Sequence, residues 1–299
     1  MKPTVTIGMC VRNCQNMLPN ALESIDIQDF PHEKMQLVII DDGSTDQTPK
    51  IAEGFVSKTD IPIKVFKTGW QGLGKARNLV LNNADGKYIT WVDSDEIITK
   101  SYIRKQVEFM EKNPEVGITT GFTGFVPGNL VLNLELTPYM VKHFMFNEPR
   151  SYLWRARKLV GTGGATFRVE ALRQVNGFSD KFKGAGEDID AVIRILNSGW
   201  VIQVNDAVFY EFHNGLSTLG DLWKKYYWYG YHCEQLYHRS RDAYSLARMN
   251  PPAGFIAGSL YSLKAYRLFG DKSLFLLPFH FCFKMTSWMF GFMKAQTKN

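Results

Sequence analysis

Two acidic clusters carry the residues best suited to chemistry in this chain. Asp93-Ser94-Asp95 follows a run that reads as buried strand, Tyr88-Ile89-Thr90-Trp91-Val92. Glu187-Asp188 follows a glycine-bearing break, Gly184-Ala185-Gly186, just ahead of a helical pattern. Carboxylates at a strand end hold a hard divalent cation through oxygen. A second carboxylate elsewhere can take a proton. Extended spacing would point Asp93 and Asp95 to the same side. A metal holder plus a base suits group transfer from a phosphate-linked donor.

Other segments add to this pair. Asp41-Asp42-Gly43-Ser44-Thr45-Asp46 ends an apolar strand. A carboxylate there can accept from a ribose hydroxyl or a base N–H, and the same residue types also build a turn and a helix cap. Gly72-Leu73-Gly74-Lys75-Ala76-Arg77-Asn78 opens a helix. Its glycines permit close backbone approach, its helix start attracts anions, and Lys75 and Arg77 suit phosphates. His213 follows the strand-like Val208 to Phe212 and precedes Asn214-Gly215. Such a histidine serves as readily in structure as in ligation.

The elements that must position these residues alternate. Strand-like runs are Val5 to Val11, Gln36 to Ile40, Ile63 to Phe66 and Tyr88 to Val92. Helical patterns intervene at Asn20 to Ile27, Thr48 to Ser57 and Lys75 to Asn83. Alternation predicts an α/β fold with right-handed crossovers and a mainly parallel, mixed sheet flanked by helices. Ligands in such sheets bind beyond the carboxyl ends of the strands. Arg12-Asn13, Asp41-Asp42 and Asp93-Ser94-Asp95 all fall there. Val116 to Gly128 reads as further strand with glycine turns, and Thr137 to Arg157 gives little signal. Gly161 to Arg168 is a glycine loop entering a short strand, and Val201 to Phe212 is a strand. Ile189, Val192, Ile193 and Leu196 repeat at helical spacing.

From about Leu219 the composition changes. Trp223-Lys224-Lys225-Tyr226-Tyr227-Trp228-Tyr229 mixes aromatic and basic residues. Two apolar stretches follow, Ala253 to Phe269 and Ser273 to Met293, split by Gly270-Asp271-Lys272. The second approaches the roughly 20 residues needed to span a bilayer, but Pro278, His280 and Lys284 interrupt it. Lysine at mid-membrane costs roughly 2.5–3.5 kcal/mol. The reading is therefore an interfacial amphipathic hairpin, anchored by aromatic and basic residues.

The chain of 299 residues is 45% apolar with a net charge of +6. Its size supports one large domain or two modest ones. The basic balance suits nucleic acid, anionic lipid or phosphorylated substrates. The acidic clusters and apolar tail favour a membrane surface over nucleic acid. Cys10, Cys14, Cys233 and Cys282 form no Cys-x-x-Cys pair, which argues against zinc and against a disulfide framework. Together with a start that runs directly into a strand, this predicts a cytoplasmic, reducing setting without a secretory leader.

Taken in order, Val5-Thr6-Ile7, Asp41 to Asp46, Gly72 to Asn78, Asp93-Ser94-Asp95, Gly163-Gly164, Glu187-Asp188 and His213 resemble the family 2 glycosyltransferases. The resemblance covers roughly Lys2 to Ser217. It implies the GT-A nucleotide-sugar fold in a catalytic domain at 1–217, followed by a helical, membrane-associated region at 218–299. It implies inverting sugar transfer from a UDP- or GDP-sugar to a hydroxyl of a glycan or lipid-linked acceptor, with Mg2+ or Mn2+. By position, Asp41 or Asp42 would contact base and ribose. Arg12, Asn13, Lys75 and Arg77 would lie near the nucleotide, and Asp93 and Ser94 near the ribose. Asp95 and His213 would hold the metal. Gly163 and Gly164 would line the sugar and acceptor pocket. Asp188 would be the base, with Glu187 orienting it or the acceptor.

One departure matters. Members that build long polysaccharides resemble each other in a Gln-x-x-Arg-Trp motif after the base. Here Lys224 takes the Gln place, Tyr227 the Arg place, and only Trp228 fits. Single additions or short chains are expected. Two other classes remain open at this level: nucleotidyl transfer in sugar-nucleotide synthesis, and a non-catalytic nucleotide- or membrane-binding protein.

Overall fold

The computed structural model describes residues 2–124, 126, 128–145, 160–182, 184–212, 216–239 and 246–297. The chain divides into two units. The first is Met1–Gly124 with Tyr152–Phe212, and the second is Phe125–Ser151 with His213–Asn299. The segment Phe125–Ser151, read from sequence within the first domain, thus groups with the tail.

Among the described residues the first unit holds one eight-stranded mixed sheet. Its strands are β1 (Val5–Val11), β2 (Met35–Asp42), β3 (Ile63–Thr68), β4 (Tyr88–Trp91), β5 (Glu96–Ile98), β6 (Val116–Gly124), β7 (Ala165–Arg168) and β8 (Val201–Glu211). Its helices are α1 (Leu18–Asp26), α2 (Thr48–Phe55), α3 (Leu73–Asn83), α4 (Tyr102–Lys112), α6 (Val169–Gln174) and α7 (Glu187–Asn197), with α5 (Leu130–Met145) belonging to the second unit. The order is β3-β2-β1-β4-β7-β6-β8-β5. β3, β2, β1 and β4 run parallel. β7 is antiparallel to both β4 and β6, β6 and β8 run parallel, and β5 is antiparallel to β8. The predicted α/β sheet is therefore present, mainly parallel on one side and mixed on the other.

Every residue of β2 is buried, as expected of a strand covered by helices on both faces. On one face Val5, Ile7 and Met9 of β1 pack with Leu18 and Ile25 of α1. On the other, Val38 and Ile40 of β2 pack with Ala76 and Val80 of α3 and Val192 of α7. The chain winds outward from β1 through β2 to β3 and then returns to place β4 on the other side of β1, so the winding direction reverses at β1. That reversal opens a crevice at the carboxyl ends of β1, β2 and β4.

The second unit is helical. It contains α5, α8 (Leu219–Arg239), α9 (Pro251–Phe269) and α10 (Leu277–Gln296). Pro138 lies inside α5, which is why the sequence pattern there was uninformative. Glu135 of α5 is buried and accepts hydrogen bonds from His280 Nε2 at 2.8 Å, Lys284 Nζ at 3.0 Å and the Tyr226 hydroxyl. The polar residues that interrupt the last apolar stretch are thus turned inward onto a carboxylate. Among the described residues no helix is long and apolar enough to cross a membrane.

Candidate functional site

The carboxyl ends of β1, β2 and β4 carry the first group of site residues. At β2, Asp41 and Asp42 point to opposite faces, as neighbours on a strand must. Asp42 is used up by the fold: Oδ1 accepts from Gln71 N–H and Oδ2 from Gly72 N–H, both at 2.9 Å. It thereby sets the loop that starts α3. Asp41 Oδ1 accepts from Ser44 N–H at 3.0 Å, while its Oδ2 is buried without a protein partner. The sequence left these two residues interchangeable. The structure separates them, since only Asp41 has an oxygen to spare.

At the end of β1, Asn13 has a positive φ of 48°. Its N–H donates to Ser44 Oγ at 2.9 Å, and its Oδ1 accepts from Thr45 N–H at 2.8 Å. It latches the Asp41–Asp46 turn. Arg12 is exposed, with its guanidinium 5.1 Å from the centre of the Trp70 ring. Trp70 is 62% exposed, and the sequence reading missed it because it stands alone in a loop. Lys75 is exposed on the first turn of α3.

At the end of β4 the structure corrects one expectation. Asp93 to Glu96 closes a turn, with Glu96 N–H donating to Asp93 O at 3.0 Å, rather than an extended segment with two carboxylates on one side. Asp93, Ser94 and Asp95 are half-buried. Ser94 lies against the Cys14 thiol. Asp95 O accepts from Phe212 N–H at 2.8 Å, which ties the turn to the end of β8. His213 lies outside the described residues.

Glu96, which carried no role in the sequence reading, is buried in this turn. Its Oε2 accepts from Asp93 N–H at 2.9 Å and from Gly164 N–H at 3.1 Å. Gly164 has φ +59°, and a Cβ there would run into the Phe209 ring. A Cβ on Gly163 would collide with Glu96 Oε1. Tyr102 donates its hydroxyl to Gly164 O. Both glycines are therefore required by close approach, and the loop they form is clamped to the Asp93 turn. Burial, with the Asp93 charge, pushes the Glu96 carboxyl well above its usual range. Four acidic or polar residues in a row, the last entering an apolar strand, was the available signal.

The second acidic cluster opens α7. Glu187 is buried and pairs with Arg77 of α3, 110 residues away in sequence. Arg77 is only 5% exposed, and its guanidinium sits 5.8 Å from the Phe178 ring. Burial opposes its charge, but Glu187, Asp188 and Asp93 outweigh that and raise its pKa. Burial raises the Glu187 carboxyl, against the pull of Arg77. Burial likewise raises Asp93; Arg77 pulls it down and Asp188 pushes it up. Asp188 is half-buried beside Gly161: a Cβ on Gly161 would stand 3.2 Å from Asp188 Oδ2. Cys10 borders the same group, and burial pushes its thiol up to about 12, leaving it inert.

The structure thus brings Arg77, Asp93, Glu187 and Asp188 within electrostatic reach of one another, with Gly163 and Gly164 held to the same turn. Three carboxylates surround one buried cation, Arg77. Asp42, Asp41, Asn13 and Arg12 occupy the neighbouring strand ends. A separate cavity of about 770 Å³, lined by Lys2, Asp85, Lys87 and Arg173 among others, opens at the amino ends of the strands and holds none of these residues. Among the described residues, one group of three metal-ligating types has its donor atoms within 4.8 Å of one another: Asp26, His32 and Asp60, also outside this cluster.

The model of glycosyl transferase family 2 matches residues 6–175, and that of the N-terminal domain of galactosyltransferase matches residues 142–214. The chain is 27% identical over 202 residues to the poly(ribitol-phosphate) beta-N-acetylglucosaminyltransferase TarS of Staphylococcus aureus, a match covering 66% of this chain and 33% of that protein. The chain therefore spans about a third of that relative's length. Among solved structures, mannosyltransferase PcManGT from Pyrobaculum calidifontis, in complex with GDP-Man and Mn2+, superposes with a TM-score of 0.71 at 18% identity, covering 100% of this chain and 88% of that one. S. aureus TarS 1–349 superposes with a TM-score of 0.57 at 20% identity, covering 99% and 92%. These likenesses establish a GT-A-type fold.

Proposed function

The chain belongs to glycosyl transferase family 2, and from that premise we propose that it moves a sugar from a nucleotide-diphosphate donor to an acceptor hydroxyl with inversion. The observation that carries the reading is the convergence of Asp93 and Asp188, from separate motifs, on one buried arginine. The solved relatives that hold UDP-GlcNAc or GDP-Man support a UDP- or GDP-sugar donor.

In this reading Asp41 takes the base or ribose with its spare oxygen, and exposed Trp70 and Arg12 border the nucleotide. Asp188 accepts the proton of the acceptor hydroxyl as that oxygen bonds to the anomeric carbon. The bond from that carbon to the diphosphate breaks, and its electron pair leaves with the nucleoside diphosphate. General base catalysis of this kind contributes about 10²–10⁴-fold. Glu187, bound to Arg77, positions the first turn of α7 and with it Asp188. Gly163 and Gly164 line the sugar and acceptor pocket.

Asp95 offers a hard oxygen donor of the kind Mg2+ or Mn2+ requires. His213 is the further ligand in this proposal. Such an ion supplies charge compensation to the departing diphosphate. The departure from the polysaccharide-synthase motif favours single additions. The acceptor is read as a glycan or lipid-linked saccharide at the cytoplasmic face of a membrane, with the catalytic part at 1–217 and the membrane-associated part at 218–299.

A panel of UDP- and GDP-sugars, screened for nucleoside diphosphate release, tests this. Release is expected with one donor, and Asp188→Asn should keep donor binding while losing transfer. Turnover near that of the native chain in this variant would remove Asp188 as base. Pyrophosphate as product would instead assign nucleotidyl transfer.

A further inference from the structure

Helix α9 is built inside out for water, and α10, which buries Leu277, Met285, Trp288 and Phe292, still leaves Phe279 and Phe290 exposed. α9 buries Gly254, Gly258, Ser262 and Ala265, its small residues. A Cβ on Gly254 or Gly258 would meet the backbone of α10 at Phe281 or at Leu277 and Pro278. The large side chains face outward: Ile256 is 63% exposed, Leu260 58% and Leu263 54%. Positions 256, 260 and 263 share one helix face. Water-soluble helices bury the large residues and expose polar ones. Small residues between helices with large apolar ones outside is the arrangement used in lipid.

The exposed apolar surface is continuous. Phe255 of α9 meets Phe279 of α10, ring centroids 5.8 Å apart, and Phe279 is 65% exposed. Farther along α10, Phe283 and Phe290 both pack on Trp223 of α8, at 5.3 and 5.9 Å. Trp223 then joins Lys224, Tyr227, Trp228, Tyr231 and Lys294 around a groove of about 540 Å³. Aromatic rings interleaved with lysines are the composition found at lipid headgroups.

The charge pattern names the occupant. From Leu246 to Thr297 the sequence holds six basic residues and one acidic one, Asp271. The Asp271 carboxylate is occupied in capping Ser273 N–H at 2.8 Å. Lys264, Arg267 and Lys272 are exposed, whereas Lys284 is held inside by Glu135. An apolar face on which three exposed cations, Lys264, Arg267 and Lys272, outnumber one exposed acid, Asp271, complements an anionic bilayer surface.

We infer that the outer faces of α9 and α10, continuous with Trp223 of α8, form an in-plane docking surface for a bilayer containing anionic phospholipid. The inference rests on the membrane part of the reading above and fixes which face makes contact. Vesicle binding is measured without sugar or donor, so it succeeds or fails independently of the transfer reaction.

The test floats the full chain with vesicles of phosphatidylcholine alone or mixed with phosphatidylglycerol. Binding is expected to the mixed vesicles and to weaken with salt. Leu260→Glu with Leu263→Glu should lower partition about tenfold or more. Arg267→Glu with Lys272→Glu should weaken binding to the mixed vesicles alone. All four residues are exposed, and an unchanged circular-dichroism melt certifies the fold. Undiminished binding in the leucine variant overturns the inference, as does a native chain that floats with neither vesicle. A native dimer that the leucine variant converts to monomer, without vesicle binding, would assign the face to a second copy of the chain.

Discussion

Glu96 and Gly164 are joined by a 3.1 Å hydrogen bond through the same carboxylate oxygen that accepts from Asp93 N–H at 2.9 Å. One buried atom therefore fixes the spacing between the acidic turn after β4 and the glycine loop before β7. Glu96 is a positioning residue. Glu96→Ala would strand two buried N–H groups, each costing about 1–3 kcal/mol. The expected result is a raised donor KM and a lowered kcat. Glu96→Gln keeps a carbonyl oxygen in place and imitates the neutral acid that burial favours, so it should restore both constants. Equal loss in the two variants would refute the positioning role.

Asp41 and Asp42 should respond differently to amide substitution. Asp42→Asn replaces one of the two oxygens that accept from the start of α3 with a donor facing a backbone N–H, so it should lower the melting temperature. A cost of about 1–3 kcal/mol is expected from denaturant titration. Asp41→Asn leaves Oδ1 available to Ser44 and changes the spare oxygen. Its stability should stay close to native while donor KM rises. A stability loss in Asp41→Asn equal to that in Asp42→Asn would remove the distinction.

The Arg77–Glu187 pair is expected to be structurally expensive to break from one side. Glu187→Gln removes the direct ion partner of a buried guanidinium that Asp93 and Asp188 still face, so the loss should stay below the roughly 3–5 kcal/mol of a fully unpaired buried charge. Replacing both at once, Arg77→Met with Glu187→Leu, should recover part of that stability without recovering activity. Urea unfolding of the single and double variants measures the coupling.

Acid should weaken the second unit through Glu135. Burial alone would raise this carboxyl, but the Lys284 charge, with His280 and Tyr226, outweighs burial and holds it well below the usual carboxylate range. A group depressed on folding stabilises above its unfolded pKa, about 4.3 for Glu. That contribution fades as pH falls below this value toward the folded pKa. The native chain should therefore lose stability over this acid window more steeply than Glu135→Gln, which starts lower at neutral pH. Parallel acid profiles for the two proteins would exclude the mechanism.

Much of this fold was legible from the chain. Strands β1, β2 and β4 are apolar runs bounded by turn residues, and these and the longer, more polar β8 match the sequence reading to within about two residues. Asp41-Asp42 and Asp93-Ser94-Asp95 fell at strand ends because parallel crossovers put them there, whereas Glu187-Asp188 opens α7. Three features were hidden. The turn at Asp93 depends on a hydrogen bond to Glu96, which spacing alone does not reveal. The choice between Asp41 and Asp42 depends on which oxygen the loop consumes. α5 carries an internal Pro138, so its pattern reads as irregular although tertiary contacts hold it helical.

The inward turn of His280 and Lys284 has a consequence for reading other chains. Window-averaged hydropathy weighs every side of a helix equally. It therefore penalises α10 for two polar groups that its exterior never displays. The apparent polarity of such a helix belongs to its spelling, and a distant glutamate decides what its surroundings encounter.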